Sequence, residues 1–315
     1  MKPDRPTLEA AHCWERADVV PGRPQMTAFR RRLRYQQAMW REAKGHPIGS
    51  QPIVPKADKP SRPLGSRLPL DYARTTGANF LTGAAHAAVQ ARLARKESHQ
   101  MLDAQRLWAD LLSSTPMCFN LFGELAADLA LADRAVHAWW PGSPGKVVDV
   151  RFEHSPGRLD PAYLGNLSAF DVAFVLDQGD DTGGIVGVAT RYHERATSET
   201  AKPSRLSRYQ EVARTSGVFV ADVAAAVNST PLLQVWLDHL LVLSMLQHDD
   251  GAWRWGRFVF VYPEGNSDLA EVCSQYRALL VDQSTFHAVT IEELLTTGAL
   301  PKGPAAAFQD RYLPA

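Results

Sequence analysis

Two apolar segments joined by a short turn constrain the fold of this chain most. Residues 168–176 are apolar apart from Asp171 and the small Ser168, and residues 184–189 are apolar throughout. Residues 177–183 between them consist of Asp, Gln, Gly and Thr, a composition typical of turns. The pattern predicts a β-hairpin at the centre of the chain. Side chains alternate along a strand, so Ala189 and Arg191 are expected on one face of the second strand.

This hairpin resembles that of the PD-(D/E)XK nuclease superfamily, which carries an Asp on one strand and Glu-X-Lys on the next. The resemblance assigns Asp171 to the Asp position, and it places Ala189-Thr190-Arg191 where Glu-X-Lys is expected. It implies a magnesium ion held by two carboxylates, with a Lys that orients or activates water. Oxygen ligands suit this hard cation. Alanine cannot coordinate a metal, and arginine keeps the positive charge but cannot act as a base.

The resemblance covers most of the chain and extends to a group of bacterial proteins described as restriction endonucleases. It implies an α/β restriction endonuclease-like fold, with an αβββαβ core, a mixed central sheet and an N-terminal helical extension. The segments that carry the resemblance are residues 32–42, 77–82, 113–125, 152–158 and 192–194.

The resemblance also implies a set of site residues around the hairpin. Asp171, Glu153 and Arg191 are the expected catalytic residues, and Asp171, Glu153 and Glu124 are the expected ligands of magnesium, the expected cofactor. Glu124 has an equally weighted alternative as a solvated helix residue, and Arg191 has one in a salt bridge to Asp171. Gln234, on the helix after the hairpin, is expected to be a structural amide.

Composition and cysteine usage limit the class of protein. Hydrophobic residues make up 45% of the chain, which is ample for a packed core without disulfides. Cys13, Cys118 and Cys273 are scattered and odd in number, so a reduced, cytoplasmic compartment is expected. Residues 1–5 lead into polar sequence, which argues against a signal peptide, and we expect no membrane partner.

Charge is distributed unevenly along the chain. Residues 1–100 contain 18 Lys and Arg against 8 Asp and Glu, whereas residues 101–315 contain 16 against 26. Clustered positive charge favours a polyanion partner, here nucleic acid and by expectation DNA. The expected nucleic-acid contacts are Arg30, Arg31, Arg34, Arg158 and Arg191. An equally weighted alternative is that the basic helix at residues 26–44 docks onto the acidic remainder of its own chain.

Proline and glycine are frequent in residues 45–70, which therefore read as an extended arm. We predict a basic N-terminal helix and Pro-rich arm in residues 1–70 and a nuclease-like domain in residues 71–315. Further patterns predict strands at 147–153 and 258–262 and a polar connection at 202–213. They also predict helices at residues 84–93, 99–114, 121–131, 231–246, 269–280 and 291–295.

The leading interpretation is a restriction endonuclease-like nucleic-acid-binding protein with a degraded metal site, weakly active or inactive as a nuclease. One alternative is an active magnesium-dependent endonuclease that uses Asp171, Glu153 and a displaced acid, Glu194 or Glu124. A second alternative is a non-catalytic regulatory or interaction module of a bacterial defence system. A homodimer is compatible with all three.

Overall fold

The computed structural model of this chain describes residues 3–51, 61–179 and 182–313. Residues 52–60 of the expected arm and residues 180–181 of the expected turn lie outside the described residues. None of the helices in the described ranges has the length and apolar character needed to cross a bilayer. The helices are α1 (Arg5–Ala10), α2 (Pro24–Ala43), α3 (Leu70–Thr76), α4 (Gly83–Ala94), α5 (Ser114–Ala127), α6 (Leu129–Trp139), α7 (Pro203–Ser216), α8 (Val223–Val227), α9 (Leu233–Leu246), α10 (Ser267–Arg277), α11 (Ile291–Thr296) and α12 (Lys302–Tyr312).

A five-stranded mixed sheet organises the larger part of the fold. The strands of a short antiparallel pair are β1 (Gly49–Ser50) and β2 (Pro63–Leu64), and those of the five-stranded sheet are β3 (Lys146–His154), β4 (Phe170–Asp177), β5 (Gly183–Thr190), β6 (Trp253–Tyr262) and β7 (Phe286–Thr290). The larger sheet has the order β3-β4-β5-β6-β7, with β3, β4 and β5 antiparallel and β5, β6 and β7 parallel. Helix, three strands, helix and strand follow one another as expected, so the predicted fold class is confirmed.

The contacts divide the chain into two compact units. Unit 1 comprises Met1–Val89, Leu102–Gly123 and Pro301–Ala315, and unit 2 comprises Gln90–Met101 and Glu124–Leu300. The five-stranded sheet belongs to unit 2, while α2 and α12 belong to unit 1. The predicted division into residues 1–70 and 71–315 stays a prediction.

The central hairpin and the interior strand lie where the apolar patterns predict them. In the hairpin Val172 of β4 pairs with Val188 of β5, and the side chains of both strands are almost all buried. Strand β6 lies between β5 and β7, which explains the continuous apolar run at Phe258–Val261, because both faces of an interior strand are covered.

Residues 202–213, predicted as a polar connection, instead form α7. Tyr209, Val212 and Ala213 lie three and four residues apart, so all three are buried on one face of the helix. Pro203 occupies the first turn, and Gly217 ends the helix with a left-handed φ of 66°. The prediction failed because three buried residues were enough to fix a helix whose remaining surface is polar.

The helix predicted at residues 99–114 is also wrong, since only a π-helical turn at Gln105–Ala109 forms there. Its backbone bonds to another segment instead of continuing a helix. The amide of Leu68 donates to the carbonyl of Ala109, and the amide of Leu111 donates to the carbonyl of Ser66. The apolar side chains of this segment are buried, although its backbone is irregular and not helical.

Three further predictions need correction in detail. A shift in register between Val147 and Asp149 interrupts the predicted strand at 147–153, and Val148, which would share the buried face of Phe152 in a regular strand, is exposed. The helix predicted over 121–131 is divided, because the Asp128 side chain accepts from the amide of Leu131 and starts α6. Pro231 precedes α9, which begins only at Leu233.

Candidate functional site

Asp171 lies at the second position of β4, facing the end of β5. One of its oxygens, Oδ2, accepts from the Thr190 amide at 2.6 Å, from Thr190 Oγ1 at 3.0 Å and from Arg191 Nη1 at 3.4 Å. Burial raises the pKa of Asp171, although Arg191 and the two Thr190 donors counteract that rise. The acid that the sequence singled out is therefore bonded to the two residues that follow Ala189.

Arg191 bridges Asp171 to a second acid, Asp238 on α9. Arg191 Nη2 lies 3.6 Å from Asp238 Oδ2, and Asp238 Oδ1 accepts from Gln234 Nε2 at 2.7 Å. Only 3% of Asp238 is exposed, and this burial raises its pKa to about 7. The salt bridge between Arg191 and Asp171 is thus present, with Asp238 as a further counter-ion that the sequence interpretation did not include.

Glu153 lies at the end of β3 in an unusual backbone conformation. Its φ is 48°, in the left-handed region that residues other than glycine seldom adopt. Burial, and then the negative charge of Asp171, raise the pKa of Glu153. Glu153 and Asp171, which the sequence placed in one site, are therefore close enough to interact electrostatically.

An ionic cluster holds Glu153 in place. Arg158 Nη2 donates to the Glu153 carbonyl at 2.9 Å and to Glu153 Oε1 at 3.1 Å, and Arg92 Nη2 donates to the same carbonyl at 3.2 Å. Glu97 pairs with both arginines. The Arg158 side chain is 4% exposed, and both of its terminal nitrogens are bonded within the protein, to Glu97 and Glu153. Its predicted contact with nucleic acid stays a prediction.

Ala189 stands on the face of β5 that looks toward Asp171 and α9. Continuing the register from the Val172–Val188 pair by one residue sets Ala189 opposite Asp171. Ala189 is 2% exposed and belongs to a hydrophobic cluster with Phe260 and Leu241. Its methyl group supplies an apolar wall where the superfamily pattern would supply a carboxylate.

The described residues do not fit a resident magnesium ion. Within residues 3–51, 61–179 and 182–313, no group of three or more His, Cys, Asp and Glu side chains is arranged to hold a metal. Asp171 directs one oxygen to Arg191 and Thr190, and the guanidinium of Arg191 lies between Asp171 and Asp238. A cation of the chain itself therefore occupies the neighbourhood in which magnesium was expected.

The two candidates for a displaced acid have different surroundings. Glu194 Oε2 accepts from the Tyr192 amide at 2.6 Å, and the charge of Glu194 contributes to the raised pKa of Asp171. Glu124 is half-buried on α5. The metal-ligand role of Glu124 stays a prediction.

The three arginines predicted for nucleic-acid binding on α2 are engaged within unit 1. Arg34 donates to both oxygens of Asp18 at 2.6 and 2.7 Å and to Ser66, and Arg30 donates to the carbonyl of Ala17. Arg31 lies over the Trp14 ring at 4.0 Å. These partners all lie within residues 14–66 and not in the acidic residues 101–315, so both the predicted contacts with nucleic acid and the alternative of docking onto the acidic remainder stay predictions.

Sequence reasoning missed Asp238, which the structure places in the site. The available signal was an ionisable residue within the apolar run of α9, because such a residue is rarely buried without a partner. Gln234, expected to be a structural amide, holds Asp238 through an i, i+4 hydrogen bond. That Arg191 is the partner of Asp238 depends on the packing of α9 against β5, and this packing cannot be predicted from a local sequence pattern.

Comparisons with known proteins give one finding. A family model described as the PD-(D/E)XK nuclease superfamily matches residues 24–314, which is nearly the whole chain. Neither the curated proteins nor the solved structures contain a match.

Proposed function

The chain belongs to the PD-(D/E)XK nuclease superfamily, and from this premise we propose that it binds DNA and cleaves it weakly or not at all. The observation that supports this proposal is the Arg191 guanidinium between Asp171 and Asp238. The Asp and the basic residue of the expected site, Asp171 and Arg191, are bonded to each other, and Asp238 is a second partner of Arg191. Such a site resembles a closed salt bridge more than an open metal centre.

The chemistry of the two replaced positions supports weak or absent cleavage. Ala189 has no oxygen to offer a metal, and it is buried among apolar side chains. Arg191 remains protonated, because its carboxylate neighbours raise its pKa even though burial alone would lower it. An arginine in this state can stabilise negative charge but cannot accept a proton from water.

Positive charge beyond the site supports DNA binding. Arg195 and Lys202, exposed residues between β5 and α7, lie in the stretch that follows Arg191, and Arg214 is exposed on α7. Exposed cations can pair with phosphates and release counterions without first breaking an internal bond. We therefore assign the main phosphate contacts to this segment, and Arg191, which precedes it in sequence, is a further predicted contact.

Binding is tested by fluorescence anisotropy with a labelled DNA duplex across a series of salt concentrations. Arg195→Glu is expected to weaken binding and to reduce the slope of log affinity against log salt by about 1. The matched control is Arg254→Glu, an equal charge change at an exposed residue near the start of β6, the opposite end of the sheet from Arg191. Equal effects of the two substitutions would contradict the assigned surface.

Cleavage is tested with supercoiled plasmid and magnesium, comparing the wild type with Asp171→Ala. We expect slow nicking or none, and no difference between the two proteins. Efficient cleavage that Asp171→Ala abolishes would instead support the active endonuclease that uses Asp171, Glu153 and a displaced acid. Absence of DNA binding would favour a regulatory or interaction module of a defence system.

Two further proposals concern the setting of the protein. Cys13, Cys118 and Cys273 are all free thiols, which supports the reduced environment of the cytoplasm. A homodimer, which would match a two-fold DNA site, stays a prediction that sedimentation analysis can decide.

A further inference from the structure

The guanidinium of Arg191 lies among carboxylates from separate parts of unit 2. Asp171 on β4 and Asp238 on α9 lie 3.4 and 3.6 Å from its two terminal nitrogens. Glu194 and Glu199, on the segment after β5, add to the negative potential that raises the pKa of Arg191. Arg191 is thus a cation that compensates carboxylates on two separate elements, β4 and α9.

The position of this cation excludes another one. A divalent ion needs oxygens about 2.0 to 2.6 Å away, and the oxygens of Asp171 and Asp238 that would serve are the ones facing Arg191. A guanidinium beside the ion would also repel it strongly in a partly buried site. Metal and Arg191 therefore compete for the same pair of carboxylates.

Asp238 is built for a cationic partner. Its carboxylate is nearly inaccessible to solvent, is fixed by Gln234 and lies on a helix whose other buried residues are apolar apart from His239 and Ser244. A buried carboxylate without a compensating cation is strongly unfavourable.

We propose that Asp171 and Asp238 form a cation site whose resident cation is the Arg191 guanidinium, and that a divalent metal binds there only when this guanidinium is removed. The inference deepens the proposed function, because it names what takes the place of the metal. It makes Asp238 and Gln234 parts of the site, with Gln234 as a positioning residue.

The proposal is tested by titrating Mn²⁺ into the protein without DNA and following stoichiometry by calorimetry and stability by thermal unfolding. The wild type is expected to bind no Mn²⁺ at this site and to show no metal-dependent rise in Tm. Arg191→Ala is expected to bind one Mn²⁺ per chain, at least tenfold more tightly than any binding that the wild type shows. Its Tm is expected to rise when the metal is added. Adding Asp171→Asn or Asp238→Asn to Arg191→Ala should abolish both responses, and Arg254→Ala, an exposed control at the opposite end of the sheet, should behave as the wild type.

Several outcomes would overturn the proposal. One is a wild type that binds one Mn²⁺ per chain and loses it through Asp171→Asn, and another is a folded Arg191→Ala variant that binds none. If Arg191→Ala is unfolded without metal, Arg191→Gln, which keeps more of the side-chain volume, takes its place under the same expectations. Because no DNA is present, these results stand apart from a failure of DNA binding or of the cleavage assay.

Discussion

At the scale of single residues, Asp238 shows how an ionisable group behaves when its counter-ion comes from another element. Its carboxylate is buried on α9, and its pKa is raised from 3.8 to about 7, first by burial. A raised pKa means that the folded state holds a proton that the unfolded state has already released. The stability that Asp238 contributes is therefore present below pH 3.8 and is lost as the pH rises through about 7.

Asp238→Asn is expected to remove this pH dependence. Between pH 4 and 7 the stability of the variant should rise relative to the wild type, by an amount on the order of a few kcal/mol. Urea unfolding at closely spaced pH values measures the difference, and Asp310→Asn, at an exposed residue of α12, is the control. A difference between Asp238→Asn and the wild type that stays constant with pH would contradict the prediction.

A second prediction at this scale concerns the two replaced positions. Ala189→Glu combined with Arg191→Lys is expected to produce magnesium-dependent cleavage of supercoiled plasmid. The Glu adds an oxygen ligand opposite Asp171, and partial burial can lower the pKa of the Lys so that it positions or activates water. Each single substitution should leave the protein without cleavage. The Glu enters an apolar cluster, so circular dichroism must first show that the variant is folded.

The double variant with Asp171→Ala added serves as the control, and it should lose the new activity. If the folded double variant binds DNA but neither binds magnesium nor cleaves, then the cleft differs from a nuclease site at more than these two positions. The superfamily would in that case account for the fold and the DNA surface alone.

At the scale of elements, the sequence pattern predicted those strands whose position depends on their own apolar residues. The hairpin of β4 and β5 and the interior strand β6 followed from runs of buried apolar residues. Asp171 could be placed because it interrupts such a run. The bulge in β3 and the pairing of α9 with Arg191 could not be predicted, because they depend on residues distant in sequence.

Helix α7, which the sequence pattern did not reveal, supports a prediction of its own. Gly217 ends this helix with a left-handed φ, and a Cβ there would meet no neighbouring atom within 4 Å. Gly217→Ala is therefore expected to destabilise the protein by about 1 kcal/mol through backbone strain alone. Thr215→Ala, an exposed control in the same helix, should be neutral or stabilise slightly. Chemical denaturation measures both, and equal effects would contradict a left-handed end to α7.

At the scale of the whole molecule, unit 1 depends on a buried arginine of its last helix. Arg311 is fully buried, donates to the carbonyl and side-chain oxygens of Asn79 and to Gln37, and lies 4.1 Å over the ring of Trp40. Gln36 donates to backbone carbonyls at the end of the same helix. These bonds join segments more than 200 residues apart in sequence.

Arg311→Met is expected to destabilise the protein by about 2 to 3 kcal/mol, because methionine fills the space but removes three hydrogen bonds to the buried oxygens of Asn79 and Gln37. Lys302→Met, at an exposed residue of the same helix, is the matched control and should change little. Urea titration measures the free energy of unfolding of both variants. A decrease of less than about 0.5 kcal/mol in the free energy of unfolding of Arg311→Met, which is about the error of the comparison, would contradict the prediction.

The division of unit 1 among three stretches of chain also sets the order in which the protein can mature during translation. A ribosome releases residues 3–89 of unit 1 before the segments of unit 2, and it releases residues 301–313 of unit 1 after them. Domains of most proteins fold in the order in which they emerge, but here the earlier unit must wait for Arg311 to complete it. Unit 2 can therefore fold on the ribosome, while a nascent chain carries an unfinished unit 1 until residues 301–313 have emerged. An interrupted translation product would expose the partners of Arg311 and present itself to chaperones and proteases.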